Sequence, residues 1–226
     1  MNLCIINGSP RKHKSNSKLL TEQFLNGFRK ENTRASVSLS FLDSGEEMQK
    51  GIELFCQASH VIIIFPLYTD SMPGIVKEFF EKLPKSSESK RKKAGFIVQS
   101  GFPEAIHSTF VERYLYKLSK RMGYEYTGTV IKGGVEGIQV QPDFMTRKTF
   151  QRFRELGMHY AINGHFNPTI VAKLKGPERM NATRRFIFRV LSIMGFPNAY
   201  WNSRLKKNNA WHQRHAQPFL ENKPGN

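Results

Sequence analysis

Long apolar runs, cysteine patterns and acidic charge are all scarce in this 226-residue chain. No window approaches the roughly 18 consecutive apolar residues of a membrane span. Met1-Asn2-Leu3-Cys4 leads into a strand without the charged and apolar regions of a signal peptide, so a cytoplasmic protein is expected. The two cysteines, Cys4 and Cys56, form no CxxC pattern; they suggest neither a disulfide framework nor an iron–sulfur cluster, and both are expected in the core. His212 and His215 lie three apart with no Cys, Asp or third His nearby, so no metal site is expected. Neither a Ser-His-Asp nor a Cys-His arrangement has support, and no internal repeat is visible.

Asp and Glu number 18 against 35 Lys and Arg, a formal charge of +17. The excess is uneven: residues 1–150 hold 22 basic and 15 acidic side chains, residues 151–226 hold 13 and 3. Such a field attracts phosphate, whether on a nucleotide cofactor, an acidic partner, a lipid headgroup or a nucleic acid. Charge alone does not choose among them. With 39% hydrophobic residues the chain can bury one full core, which excludes disorder of the whole.

Periodicity supplies the architecture. Leu3 to Ile6, Ser36 to Leu42, Val61 to Phe65, Ala94 to Gln99 and Tyr126 to Ile131 read as strands, with Val37, Leu39 and Phe41 alternating in the second. Between them Lys18–Lys30, a stretch from a Ser44–Glu47 capping box to Ala58, Pro73–Leu83 and Thr109–Met122 read as helices, and Asp143–Tyr160 follows the last strand. Lys85 to Lys93 reads as a solvated connector. Strands alternating with helices predict an α/β fold, a five-stranded parallel sheet of order 2-1-3-4-5 with helices on both faces. From Ala161 the pattern changes to a basic, mainly helical C-terminal extension with a helix over Arg184 to Phe196.

Three loops, 8–17, 66–72 and 100–104, follow strands 1, 3 and 4 and converge on one edge of such a sheet, where this topology takes its ligands. The first, Gly8-Ser9-Pro10-Arg11 to Ser15-Asn16-Ser17, combines hydroxyls, backbone N–H groups and a guanidinium at a helix start, the donors a dianionic phosphate needs. Alone it reads equally as a basic solvated turn. The second is Pro66-Leu67-Tyr68-Thr69-Asp70-Ser71-Met72 with Pro73-Gly74 and Lys77, and the third is Ser100-Gly101-Phe102-Pro103-Glu104.

Over residues 1 to about 140 these motifs resemble the flavodoxin-like NAD(P)H-dependent FMN reductases and quinone-reductase-like oxidoreductases. The resemblance implies a flavodoxin-like FMN-binding domain over residues 1–160, with 161–226 as an extension and not an independent domain. It implies that Ser9, Arg11, Ser15, Asn16 and Ser17 hold the FMN phosphate. Pro66, Leu67, Tyr68, Thr69, Ser71 and Met72 would run along the flavin ring, giving it backbone N–H groups and apolar cover. Ser100, Gly101, Phe102 and Glu104 would approach it from strand 4.

For Tyr68 and Met72 core packing is the alternative, Gly101 reads equally as a turn glycine, and Glu136 reads as an exposed loop acid with a ligand-facing position as the alternative. His60 and His107 read as packing or surface residues. The implied activity passes a hydride from NAD(P)H through flavin N5 to a small-molecule acceptor such as a quinone, nitro compound or free flavin, in ping-pong order. The chemistry would lie on FMN, with Tyr68 the side chain nearest to a catalytic role. A non-catalytic FMN electron carrier and an anionic-surface binding module are the alternatives. Residues 161–226, with Phe186, Ile187, Val190, Leu191, Ile193, Met194, Trp201, Trp211 and Phe219, are expected to complete a homodimer or wall the active site. Packing back on the same subunit and contact with a membrane surface are the other accounts of that segment, and no nucleic-acid partner is expected.

Overall fold

The computed structural model describes residues 1–84, 92–193 and 196–217. Most of the expected connector, Met194 and Phe219 lie outside the described residues. Five strands, β1 (Asn2–Asn7), β2 (Ser36–Phe41), β3 (His60–Pro66), β4 (Lys93–Gln99) and β5 (Glu125–Lys132), form one sheet. All its pairings are parallel and its order is β2-β1-β3-β4-β5, as expected. The crossovers are α1 (Asn16–Glu31), α2 (Glu46–Gln57), α3 (Gly74–Lys82) and α4 (Ile106–Arg121). After β5 come α5 (Asp143–Asn163), α6 (Pro168–Lys175), α7 (Ala182–Ile193) and α8 (Phe196–Lys207).

The inner strands are apolar along their whole length because both faces are covered. Leu3, Ile5, Ile62, Ile64, Ile97 and Val130 share a core with Leu20, Phe24 and Phe28 of α1 and with Phe153, Leu156 and Tyr160 of α5. The intervening residues Cys4, Ile6, Val61, Ile63, Phe65 and Phe96 pack with Phe55 of α2, Phe79 of α3 and Leu115 of α4. Alternation thus splits each strand between two cores of similar depth.

α1 and α5 lie against one another with glycines at the contact. A Cβ on Gly27 would stand 1.9 Å from the Arg154 carbonyl oxygen, and one on Gly157 would stand 1.9 Å from the Phe24 carbonyl oxygen. Only glycine permits that approach.

Several local expectations are corrected. Cys4 is buried, but Cys56 is exposed. Met48, Ile52 and Phe55 form the buried stripe of α2, and Cys56 sits about 100° round from Phe55. The Ser44 capping box does not form: Gly45, at φ 67°, is the N-cap without a side-chain bond, and the Ser44 amide instead takes the Asp43 side chain at 2.9 Å. β2 is an edge strand in which Leu39 is exposed and Ser40 is buried, the reverse of what its alternation suggests. α4 begins at Ile106, three residues early, because Pro177 and Glu178 supply carbonyls to the amides of Ala105 and Ile106 at 3.0 and 3.2 Å.

A further helix, α6, which the sequence reading did not single out, starts at Asn167-Pro168. The Asn167 side chain accepts from the amides of Thr169 and Ile170 at 2.9 and 3.2 Å, and Pro168 fits the first turn. Phe166, Ile170 and Leu174 are buried in the α1/α5 core, and the first compact unit runs to Arg179. Residues 180–226 are a second unit. No helix among the described residues is long and apolar enough to cross a membrane.

Gly27→Ala or Gly157→Ala should each cost about 1–3 kcal/mol by overpacking, lowering the melting temperature by roughly 2–4 °C per kcal/mol. The double variant should fall short of additivity because both substitutions strain one contact. Thermal melts of the four proteins measure this; a Gly157→Ala protein that melts with wild type would show that the helices do not touch backbone to backbone.

Candidate functional site

β1 ends at the first loop, and the amide of Gly8 donates to the Ile64 carbonyl of β3 at 2.8 Å, tying the loop to its neighbour strand. The Ser9 amide then takes the Asn7 side chain at 3.0 Å and the Lys12 amide takes the Ser9 carbonyl at 2.9 Å, closing a tight turn. A single 3₁₀ turn over Lys12–Lys14 delivers the chain to Ser15, whose hydroxyl caps α1 by accepting from the Lys18 amide at 3.1 Å. The amides of Asn16 and Ser17 occupy the first two helix positions, where no intrahelical carbonyl exists to receive them. They give that end of α1 its partial positive charge.

The loop's cations separate. Lys12 pairs with Asp43, and this contact, with the Ser44 amide, holds the Asp43 carboxyl below the usual range. His13 lies on Phe41, ring centroids 4.1 Å apart. Arg11 remains half-exposed with its guanidinium 3.6 Å from Glu136 of the loop after β5.

The second loop turns more sharply than a strip of extended backbone. Tyr68 and Ser71 exchange both backbone bonds, at 2.9 and 3.0 Å, and the two residues between them, Thr69 and Asp70, have φ of 49° and 57°. Positive φ at both central positions is the pattern of a type I′ turn, which Asn and Gly fill without strain and a β-branched threonine does not. The Leu67 amide donates to the Gln99 carbonyl at 2.8 Å. The amides of Leu67, Tyr68 and Ser71, expected to serve a ring, are therefore committed within the protein.

In the third loop the Ser100 amide donates to the Lys132 carbonyl, and the Val135 amide donates to the Ser100 carbonyl, both at 3.0 Å. Phe102 stacks on His107 at 4.4 Å between centroids. The imidazole also lies 3.9 Å from Asp70 and 4.0 Å from Glu104, bridging the second and third loops.

Ser9, Arg11, Asn16, Pro66, Leu67, Tyr68, Ser100 and Gly101 meet around one cleft at the β1/β3 end of the sheet. Gln99 and Glu136 complete it. Glu136 is thus a cleft residue and not a plain surface acid, and Gln99, buried with its amide 3.4 Å from the Ser17 hydroxyl, was missed because it reads as the end of a strand. Gln139 was also missed. Its side chain donates to the Lys14 carbonyl at 3.0 Å and to Asn16 Oδ1 at 2.9 Å, while Asn16 Nδ2 donates to the Val135 carbonyl at 2.9 Å, clamping the first loop to the last.

The other expected residues stand apart from the lining. Ser15 is a cap, the Ser17 hydroxyl is buried toward Gln99, and Thr69 and Ser71 form the turn. Phe102 and Glu104 flank His107, and Met72 lines a separate cavity beside α3 and α4. That cavity, about 700 Å³ with Phe80, Tyr114 and Leu118 in its wall, is roomier but gathers none of the first loop. The cleft measures about 130 Å³, below the roughly 300 Å³ of a pocket that swallows its ligand. Any planar group held there stands partly outside, against the half-exposed Tyr68 ring.

A doubly wound parallel sheet with an anion-receptive loop at its switch point defines the α/β class that takes ligands beyond the carboxyl ends of its strands. The family model described as flavodoxin-like fold matches residues 1–155, and the chain belongs to this flavodoxin-like family. Its fold is similar to that of an NAD(P)H:quinone oxidoreductase from Methanothermobacter marburgensis, 15% identical over 73% of this chain and 98% of that one, with TM-score 0.56. An NADH:FMN oxidoreductase aligns over 80% of this chain and 97% of that one, 16% identical, TM-score 0.55. An azoreductase from Bacillus anthracis str. Sterne aligns over 70% and 100%, 13% identical, TM-score 0.53. At these identities the likeness is one of fold. No curated protein matches the sequence.

Thr69→Asn should stabilise the protein by about 0.5–1 kcal/mol, since asparagine accepts positive φ that a β-branched side chain resists. The melting temperature should rise by roughly 1–4 °C; a fall would show that the threonine side chain contributes more than its backbone costs.

Proposed function

We propose that the chain is an FMN-dependent oxidoreductase that uses NAD(P)H to reduce a small-molecule acceptor. One observation carries the reading: Ser9 and Arg11 of the first loop and Asn16 at the start of α1 line one cleft together with Tyr68 and Gly101. The donor set fits a phosphate monoester, with fixed N–H dipoles, a hydroxyl and a planar cation within one loop. The shallow cleft fits a flat ring lying across its mouth.

FMN, when bound, would supply hydride-transfer chemistry between NAD(P)H and a quinone, nitro compound or similar acceptor, the two substrates using the cleft in ping-pong order. The chain's own groups bind and orient. The Asn16 and Ser17 amides with Ser9 and Arg11 would hold the phosphate, and Gln99, Ser100 and Gly101 would border the rest of the cofactor. Tyr68 offers an aromatic face on which nicotinamide and acceptor stack in turn. Arg11 must leave Glu136 to engage the phosphate; a half-exposed ion pair contributes at most about 1 kcal/mol, against roughly 1.5–3 kcal/mol for a charge-assisted bond to phosphate. The exchange therefore favours the phosphate. A cytoplasmic homodimer belongs to the same reading, and the exposed rings of Phe110 and Tyr114, one turn apart on α4, offer apolar surface for a second copy.

Reconstitution should show FMN bound more tightly than FAD, and Arg11→Ala should weaken FMN by roughly 1.5–3 kcal/mol. Tighter FAD, or an Arg11→Ala protein with wild-type affinity, would overturn the phosphate assignment. Tyr68→Ala should keep the fold and lower turnover of NAD(P)H by roughly three- to ten-fold, the worth of one aromatic stack. Wild-type kinetics with several acceptors would return Tyr68 to a packing role, and FMN binding without NAD(P)H consumption would identify an electron carrier.

A further inference from the structure

Residues 180–226 form their own compact unit and carry eight Lys or Arg against one acid, Glu221. Four apolar residues of α7 gather on one side of the helix. Phe186, Ile187, Val190 and Ile193 are all exposed, at 67%, 51%, 39% and 80%. At 100° per residue they span about 120° of the helix, flanked on the Ile193 side by Arg185 and Arg189, also exposed and four residues apart. α8 adds an exposed Trp201 and ends in Arg204, Lys206 and Lys207. Beyond it Trp211 lies between two cations, Lys206 at 5.1 Å and Arg214 at 4.4 Å from the ring centroid.

An apolar face of this size in water calls for a partner, and the charge selects which. A second copy would bring a second basic segment against the first, so isologous pairing opposes itself electrostatically. A nucleic acid would match the charge but leave Phe186, Ile187, Val190 and Ile193 in water. An anionic lipid surface answers both features, with phosphates for the arginines and the acyl boundary for the apolar face. Twelve residues of helix span about 18 Å, too short for a hydrocarbon core of about 30 Å, so α7 would lie in the headgroup layer and not cross it. Tryptophans flanked by cations suit the same layer.

We propose that the C-terminal unit is a surface anchor for bilayers containing anionic phospholipid, with α7 lying in the headgroup plane. The anchoring is independent of what the cleft in the first unit holds. Its readout is built in, because Trp201 and Trp211 are the two tryptophans of the chain and intrinsic tryptophan emission reports on this unit alone.

The test uses the full chain with vesicles of equimolar phosphatidylcholine and phosphatidylglycerol, and with pure phosphatidylcholine vesicles. Sedimentation with the mixed vesicles, a blue shift of tryptophan emission, and neither effect with pure phosphatidylcholine are expected. Phe186→Glu with Val190→Glu should abolish both signals. Arg185→Gln with Arg189→Gln, an exposed pair whose loss leaves the apolar face intact, should weaken binding by roughly ten- to thirty-fold. Absence of sedimentation and shift with the mixed vesicles overturns the proposal. So does sedimentation undiminished by the glutamate pair, which would mean charge adsorption without insertion. A solution dimer dissolved by the glutamate pair, or an oligonucleotide bound unchanged by it, in a protein that ignores vesicles, would assign the surface to a second copy or to nucleic acid instead.

Discussion

Gly27 and Gly157 bring α1 and α5 together until backbone meets backbone, and the geometry of the cleft follows from that contact. α1 starts where the first loop ends, and α5 starts shortly after the loop that follows β5. With the two helices this close, the loops at their N-terminal ends are within side-chain reach. Gln139 can then bond to Lys14 and Asn16 at once, and Asn16 can return a bond to Val135. A wider crossing would separate these partners by more than a hydrogen bond tolerates. Farther along, Gln23 and Arg154 make a 2.8 Å bond across the same pair of helices, and Phe24, Phe28 and Tyr160 fill the core beneath them.

The electrostatics of the cleft are set by pairing more than by net charge. Four cationic or titratable side chains crowd the first loop, yet Lys12 is drawn to Asp43 and His13 to the Phe41 ring. Arg11 faces the cleft with Glu136 across from it. Outside the lining, His107 stands between Asp70 and Glu104 with Phe102 stacked upon it. The lining itself carries one cation, Arg11, one carboxylate, Glu136, and one aromatic ring, Tyr68. Positive φ at Thr69 and Asp70 is the backbone's cost for projecting Tyr68 at the mouth.

Much of this was legible from residues taken in order. The apolar runs of β1, β3 and β4 announced strands covered on both faces, and Gly8 to Ser17 announced a turn leading into a helix. What escaped was local structure fixed by distant residues. α4 starts early because carbonyls from Pro177 and Glu178 receive its first amides, a cap invisible within the segment. Cys56 looked like core because its neighbours are, while the angle of α2 on the sheet turned it outward. Ser44 had capping spacing, but the positive φ of Gly45 removed it from the helix start.

By itself the sequence determined the class of sheet and its strand order. These depend on periodicity and on residue chemistry within a few positions, which a linear reading contains. Only the tertiary structure decided that Arg11 meets Glu136, that Gln139 clamps Asn16, that His107 joins the second and third loops, and that residues 161–179 belong to the first unit. Each of those relations joins residues whose separation is set by helix crossing and sheet register. A contact between positions 16 and 139 is specified by how α1 and α5 pack, and no feature of either segment alone encodes it.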